Sequence, residues 1–181
     1  MSEAEGFVVA LDEASRNLLL AQLMRAARWP LVPPVFGALV SMAVSVPLEL
    51  CVMDKKGRVL TFYRKDSEYD GHHMPGTVLR DNENVEQALN RLVTSEVVGG
   101  EISDPVNVGW IEIPKGSGEG WNPTRHEISL LWMAYLRGEY HGKNGVFSPM
   151  DALPPNTLSH HRVLIEKFKK ALKTGKPILG Y

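Results

Sequence analysis

His73-Met74-Pro75-Gly76-Thr77-Val78-Leu79-Arg80-Asp81-Asn82-Glu83, followed by Val85, Ala88, Arg91-Leu92, Ser95-Glu96 and Val98, is the stretch whose reading decides the fold of this chain. A Pro-Gly turn opens it. From Asn84 to Val98 the spacing then predicts a helix whose apolar side carries Val85, Ala88, Leu89, Leu92 and Val93. Asn82 and Asn84 are both candidate caps, and Gly99-Gly100 ends the helix. Residues one, four and five positions after Arg91 share a helix face, because neighbours three and four apart stack over each other. That face offers Leu92, Ser95 and Glu96, a single carboxylate.

Upstream, Val44, Val46, Leu48, Leu50 and Val52 alternate as a strand would. Asp54-Lys55-Lys56-Gly57 is a turn signal and Val59 to Arg64 resumes the extended pattern, so a hairpin is expected to lead towards the Pro-Gly loop. Before it, residues 12 to 28 read as a helix. Asp12 is its cap, Leu19, Leu20, Leu23, Met24 and Ala27 fall at helical spacing, and Trp29-Pro30 stops it ahead of a Pro-rich connector. Downstream, strands are expected around Val106 to Ile113 and Ile128 to Arg137. The loop between them, 114 to 123, holds three Gly and Trp121, a composition suited to a mobile binding loop. Phe147 to Leu153 leads into a last helix over 158 to 173 that buries Leu164, Ile165, Phe168, Ala171 and Leu172 and ends at Gly175 and Pro177. The economical reading is an α/β domain over 42 to 181 behind an N-terminal helical extension, 1 to 41. That extension could cover the sheet or form a homodimer contact.

Composition narrows the function classes. A chain of 181 residues, 44% apolar and 23% charged, is long enough to bury one core. A net charge of -1 gives no electrostatic reason to expect nucleic acid or an anionic membrane as partner. Residues 29 to 48 carry no charge, but Pro30, Pro33, Pro34 and Pro47 punctuate them, against a continuous membrane-spanning helix of roughly 20 residues. No basic region precedes an apolar run at the N-terminus, so no secretory signal is expected and the cytoplasm is the default. The single Cys, Cys51, allows no internal disulfide and reads as core.

The decisive stretch resembles a Nudix box that has lost some of its carboxylates. The usual pattern is Gly, five residues, Glu, seven residues, Arg-Glu, an aliphatic, any residue, Glu-Glu, any residue, Gly. In that frame Pro75, Gly76, Glu83, Arg91 and Glu96 stand in register. Thr77 replaces a second Gly, Leu92 and Ser95 replace two catalytic Glu, and Val98 replaces the last Gly. The resemblance implies the Nudix fold, a mixed β-sheet sandwiched between helices (α/β/α), covering residues 75 to 98 by motif and 42 to 173 by element order. It also implies a structural ion pair between Glu83 and Arg91, and Mg²⁺ (or Mn²⁺) held by Glu96 and the backbone carbonyl of Gly76. A lone carboxylate suits one Mg²⁺ with water and phosphate oxygens, not a cluster of metals.

Within the superfamily, Arg91-Leu92, three residues, then Glu96 is similar to the modified box of GDP-mannose mannosyl hydrolases. That branch implies substitution at the anomeric carbon of a nucleotide sugar, releasing a nucleoside diphosphate and a free hexose. Its Gln-His pair, a metal ligand and a base, is matched only by Tyr140-His141-Gly142, so His141 takes one role and the other stays unfilled. Arg64 at the hairpin end could reach a substrate phosphate. Trp121 could stack on the base, and one of His72 and His73 could face the pocket, with His72 taken as the substrate contact. Two functions therefore stand: a Mg²⁺-dependent hydrolase of a nucleoside diphosphate linked to another moiety, or a Nudix-fold binding or regulatory module without catalysis. Thr77 and Val98 argue for the second, because Gly at those positions shapes the loops.

Overall fold

A computed structural model describes residues 12–15, 18, 22, 33–66, 69–117, 125–142 and 144–180. The chain clusters into two compact units, Met1–Met42 and Ala43–Tyr181. In the first, residues 13–15, 18 and 22 are helical, and the Ser15 amide donates to Asp12 Oδ1 at 2.7 Å, the contact an N-cap makes. The rest of the helix expected over 12 to 28 lies outside the described residues. The Pro-rich stretch expected as a connector contains a helix, α1 (Pro33–Met42). Proline is compatible with a first turn, where its missing N–H would have had no helical partner. Among the described residues no helix is long and apolar enough to cross a membrane.

The second unit is a mixed sheet with a helix on each face. Its central strands run in the order β10 (Ile178–Leu179), β7 (Val106–Ile113), β8 (His126–Arg137), β2 (Pro47–Met53), β3 (Arg58–Lys65) and β4 (Asp70–His73). Beside them, β1 (Val44–Ser45) and β6 (Glu101–Ile102) pair with β8, β5 (Gly76–Val78) pairs with β2, and β9 (Gly145–Pro149) pairs with β3. Strands β2 and β8 lie parallel, Glu49 opposite Leu131, and this pair forms the spine.

Alternation in β2 sorts the core into its two layers. Leu48, Leu50 and Val52 face α2 (Val85–Glu96) and meet Ala88, Leu89 and Leu92. Cys51 and Met53 face α3 (Ser159–Thr174) and meet Leu164, Ile165 and Phe168. Burying a large aliphatic side chain contributes roughly 1.5–3 kcal/mol, so this period-two pattern fixes the strand's register. Glu49 falls between them on the α3 face, a carboxylate in an apolar row. Burial also pushes the Cys51 thiol up to about 12, consistent with a core role.

Local signals set the helix ends. Asn84, not Asn82, caps α2 in a reciprocal box with Gln87: the Gln87 amide donates to Asn84 Oδ1 and the Asn84 amide to Gln87 Oε1, both at 2.9 Å. Asn82 instead takes the left-handed turn before it, at φ 58°. The expected hairpin forms but splays. β2 and β3 pair at Met53 and Val59, beyond which β2 turns to β5 and β3 to β9 and β4. That divergence separates β3 from the start of β2.

Candidate functional site

The loop-helix-loop is braced by one ion pair. Arg91 Nε donates to Glu83 Oε1 and Arg91 Nη2 to Glu83 Oε2, each at 2.7 Å, a bidentate pairing across eight residues. The Arg80 amide adds a third donor to Glu83 at 3.0 Å. Arg91 beside it holds the Glu83 carboxyl down at about 2, against a usual value of 4.5. The remaining Arg91 donors reach Thr77 Oγ1 at 2.6 Å and the Val78 carbonyl at 3.1 Å.

Thr77 and Val98 thus leave the loops intact. Thr77 lies in an extended strand and supplies a hydroxyl to Arg91. The left-handed residue after the helix is Gly99, at φ 88°, one position past Val98. A Cβ on Gly99 would stand 2.5 Å from the Gly142 amide, so glycine is required there twice over. Through this contact, and through the His141 amide donating to the Gly99 carbonyl at 2.7 Å, the loop after β8 is tied to the end of α2.

Between them opens a cleft of about 880 Å³ whose wall includes Arg64, His73, Ser95, Glu96, Tyr140 and His141. Three residues selected from the sequence, Glu96, His141 and Arg64, therefore meet in one place. His73 lines the wall where His72 was expected, because adjacent strand residues face opposite ways and His72 turns to Thr61 Oγ1 at 3.3 Å. His73 Nδ1 lies 2.8 Å from the Met74 carbonyl, which makes it the protonated nitrogen and leaves Nε2 as the acceptor. Burial pulls the His73 pKa below its ordinary value, so the ring is neutral near pH 7. Arg64 is held by Asp66 and lies 4.9 Å above the Tyr69 ring. Trp121 lies outside the described residues.

Leu92 stands differently from its place in the box frame. It is fully buried among Leu50, Val52, Leu60, Val97 and Ala134, so α2 gives the cleft Ser95 and Glu96 only. Glu96 Oε2 accepts from the Gly76 amide at 3.1 Å. Burial raises the Glu96 pKa despite that bond and the pull of Arg64 and Arg91. Gly76 sits opposite Glu49 in the β2–β5 pair, while the Leu50 amide bonds the Pro75 carbonyl at 2.9 Å and the Leu79 amide bonds the Val46 carbonyl at 2.9 Å. Hydrogen-bonded and non-bonded pairs alternate in antiparallel strands, so the N–H and C=O of Gly76 both turn away from β2, to the side of Glu96. The Gly76 carbonyl and the Glu96 carboxylate are hard oxygen donors of the kind Mg²⁺ takes. Among the described residues no three His, Cys, Asp or Glu side chains form a ready-made cation site. Water and substrate oxygens would complete the shell.

Sequence reasoning missed a second group of polar residues beneath this cleft. Glu49 lies against Gly76, where a Cβ would stand 2.8 Å from its Oε2, and that oxygen is sealed from solvent with no hydrogen-bond partner among the described residues. Burial, then the charges of Glu127 and Glu96, raise its pKa well above the carboxylate range. His161, from α3, comes within 3.9 Å of the same oxygen through Nδ1. That nitrogen accepts from the Met74 amide at 3.4 Å, and burial holds His161 neutral, so it offers Glu49 no proton. The one signal for Glu49 in the sequence is a charge between Leu48 and Leu50 in a buried strand.

Comparison with known proteins bears on the fold. No family model matches the chain, and no curated protein does. Among solved structures, the chain is similar to a MutT Nudix hydrolase from Burkholderia pseudomallei, at 18% identity and TM-score 0.55 over 68% of this chain and 97% of that one. It is similar to a UDP-X diphosphatase at 12% identity and TM-score 0.59, over 93% and 85% of the two chains. An ADP-ribose pyrophosphatase from Streptococcus suis gives 15% identity and TM-score 0.53, over 76% and 98%. At these identities the likeness establishes the fold, and the fold is that of Nudix hydrolases.

Proposed function

We propose that this Nudix-fold chain hydrolyses a nucleoside diphosphate linked to another moiety, a nucleotide sugar being the best fit, with one Mg²⁺. The observation that carries this is the convergence on one cleft of Glu96, His73, His141 and Arg64, around a box whose ion pair and loops are intact. A binding module needs no carboxylate desolvated against a glycine amide, and Thr77 and Val98, which argued for that reading, have structural explanations. Similarity to structures named as diphosphatases and pyrophosphatases supports a diphosphate substrate class.

Glu96 and the Gly76 carbonyl would hold the cation, whose chemistry is to neutralise charge on the diphosphate. Arg64 reaches a phosphate oxygen from β3. With Leu92 in the core and Ser95 in the cleft, α2 gives no second carboxylate for a metal cluster that would drive attack on phosphorus. Water therefore attacks the anomeric carbon: the new C–O bond forms as the bond to the diphosphate oxygen breaks, and the electron pair leaves on the diphosphate. His73 Nε2 takes the water proton, and His141 on the tethered loop holds the leaving group. The base that the resemblance places in the loop after β8 is thus supplied by His73 at the end of β4, and the metal-ligand role of the Gln-His pair stays unfilled there.

The test is a nucleotide-sugar panel incubated with and without Mg²⁺ and followed by phosphorus NMR. A nucleoside diphosphate and free sugar appearing only with Mg²⁺ support the proposal. A monophosphate plus sugar phosphate moves the attack to phosphorus, and no turnover of any member returns the chain to the binding-module reading.

A further inference from the structure

We infer that Glu49, on the sheet rather than in the box, is a second carboxylate ligand of the divalent cation, standing in for the carboxylates that the box helix has lost. This rests on the cation-dependent reading above. Glu49 and Glu96 flank the same residue: Glu96 takes the Gly76 amide at 3.1 Å, and Glu49 occupies the space that a Cβ on Gly76 would fill. Gly76 is absent from the residues of positive φ, so what glycine supplies here is room for the Glu49 carboxylate.

The second observation is the unsatisfied oxygen. A carboxylate buried without partners costs several kcal/mol, so such a group is neutralised by a proton or by a cation. None of the neighbours does this. His161 Nδ1 is already an acceptor, and Glu127 and Glu96 repel Glu49. Ser129, whose Oγ is also buried without a partner among the described residues, lies on the same α3 face of β8 as Leu131, the residue opposite Glu49. A divalent ion bound between Glu49, Glu96 and the Gly76 carbonyl resolves both repulsion and desolvation. It remains one metal, since two carboxylates and one carbonyl leave half an octahedron to water and substrate.

Binding of Mn²⁺ alone to the full chain, followed by electron paramagnetic resonance and by the Mn²⁺-induced rise in Tm, tests this. The unmodified chain is expected to bind Mn²⁺, and Glu49→Gln and Glu96→Gln each to weaken it about tenfold or more. Glu49→Gln is also expected to abolish the metal-induced rise in Tm, because the amide keeps the shape of the side chain and brings no anionic ligand. Should that variant fail to fold, Gly76→Ala displaces Glu49 through its Cβ and is expected to weaken Mn²⁺ in the same way. Glu49→Gln binding Mn²⁺ as tightly as the unmodified chain, while Glu96→Gln loses it, overturns this inference and leaves the cation-dependent reading standing. An unmodified chain that binds no Mn²⁺ overturns both.

Discussion

Replacing Glu83 by Gln removes the charge from the brace of the loop-helix-loop while keeping its shape. Two Arg91 donors at 2.7 Å and the Arg80 amide at 3.0 Å end on this carboxylate. Hydrogen bonds to charged groups contribute roughly 1.5–3 kcal/mol each, and the amide retains part of that set. A carboxyl lowered from 4.5 to about 2 sets a ceiling of roughly 3.4 kcal/mol at about 1.36 kcal/mol per pKa unit. Arg91 is 23% exposed, so solvent screening trims this to about 2 kcal/mol. For a chain of this size that corresponds to a fall in Tm of about 4–8 °C. The sign with pH is fixed. Because the folded pKa lies below the unfolded value, the stabilisation is complete above 4.5 and is lost as pH falls towards 2. Urea or thermal melts of the unmodified chain and Glu83→Gln should therefore differ fully at pH 7, converge between pH 4.5 and 2, and coincide below. A gap that stays constant across this range, or one below about 0.5 kcal/mol at pH 7, would refute the brace.

Other substitutions probe the cleft and its supports. Leu92→Glu, which restores a box carboxylate in sequence, should lower Tm by several degrees and gain no activity, because it places a charge where Leu50, Val52 and Ala134 pack; a gain in turnover would show that the side chain reaches the cleft. Gly99→Ala should destabilise by about 1–2 kcal/mol for its positive φ alone, and should raise KM through displacement of the loop carrying His141, measured by steady-state kinetics and melting. His73→Gln should lower kcat by roughly a hundredfold with little change in Tm if His73 is the base. A larger loss for His141→Gln than for His73→Gln would exchange their roles.

The parts of the fold that follow from periodicity were legible in the sequence. The β2 alternation, the α2 apolar face, the turn at Asp54-Lys55-Lys56-Gly57 and most of the α3 face recur in the structure because each is decided by local burial, whereas Leu172, expected to be buried, is exposed in the last turn of α3. Short strands escaped notice: β4, β5, β6 and β10 span two to four residues each, too few to show a period, and exist because longer neighbours pair with them. Pro33 and Pro34 read as breakers when alone in sequence, yet their place in the first turn makes them helix starters. In the cleft, Glu96 and His141 could be selected from the box resemblance and Arg64 from its place at the hairpin end. Glu49 could not, since its meaning comes from Gly76, its cross-strand partner, and from a helix more than a hundred residues away that brings His161 to it. Leu92 carries the complementary lesson: a frame position names a residue's ancestry in a pattern, and packing against Leu60 and Ala134 decides which way it faces.

Hydrolysis of a nucleotide sugar in ¹⁸O-labelled water, with Mg²⁺ present and the products resolved by phosphorus NMR, separates attack at carbon from attack at phosphorus. Attack at carbon gives a nucleoside diphosphate whose phosphorus resonances show no ¹⁸O isotope shift, with the label in the free hexose. An ¹⁸O-shifted phosphorus signal, which places the new oxygen on phosphate, would contradict it.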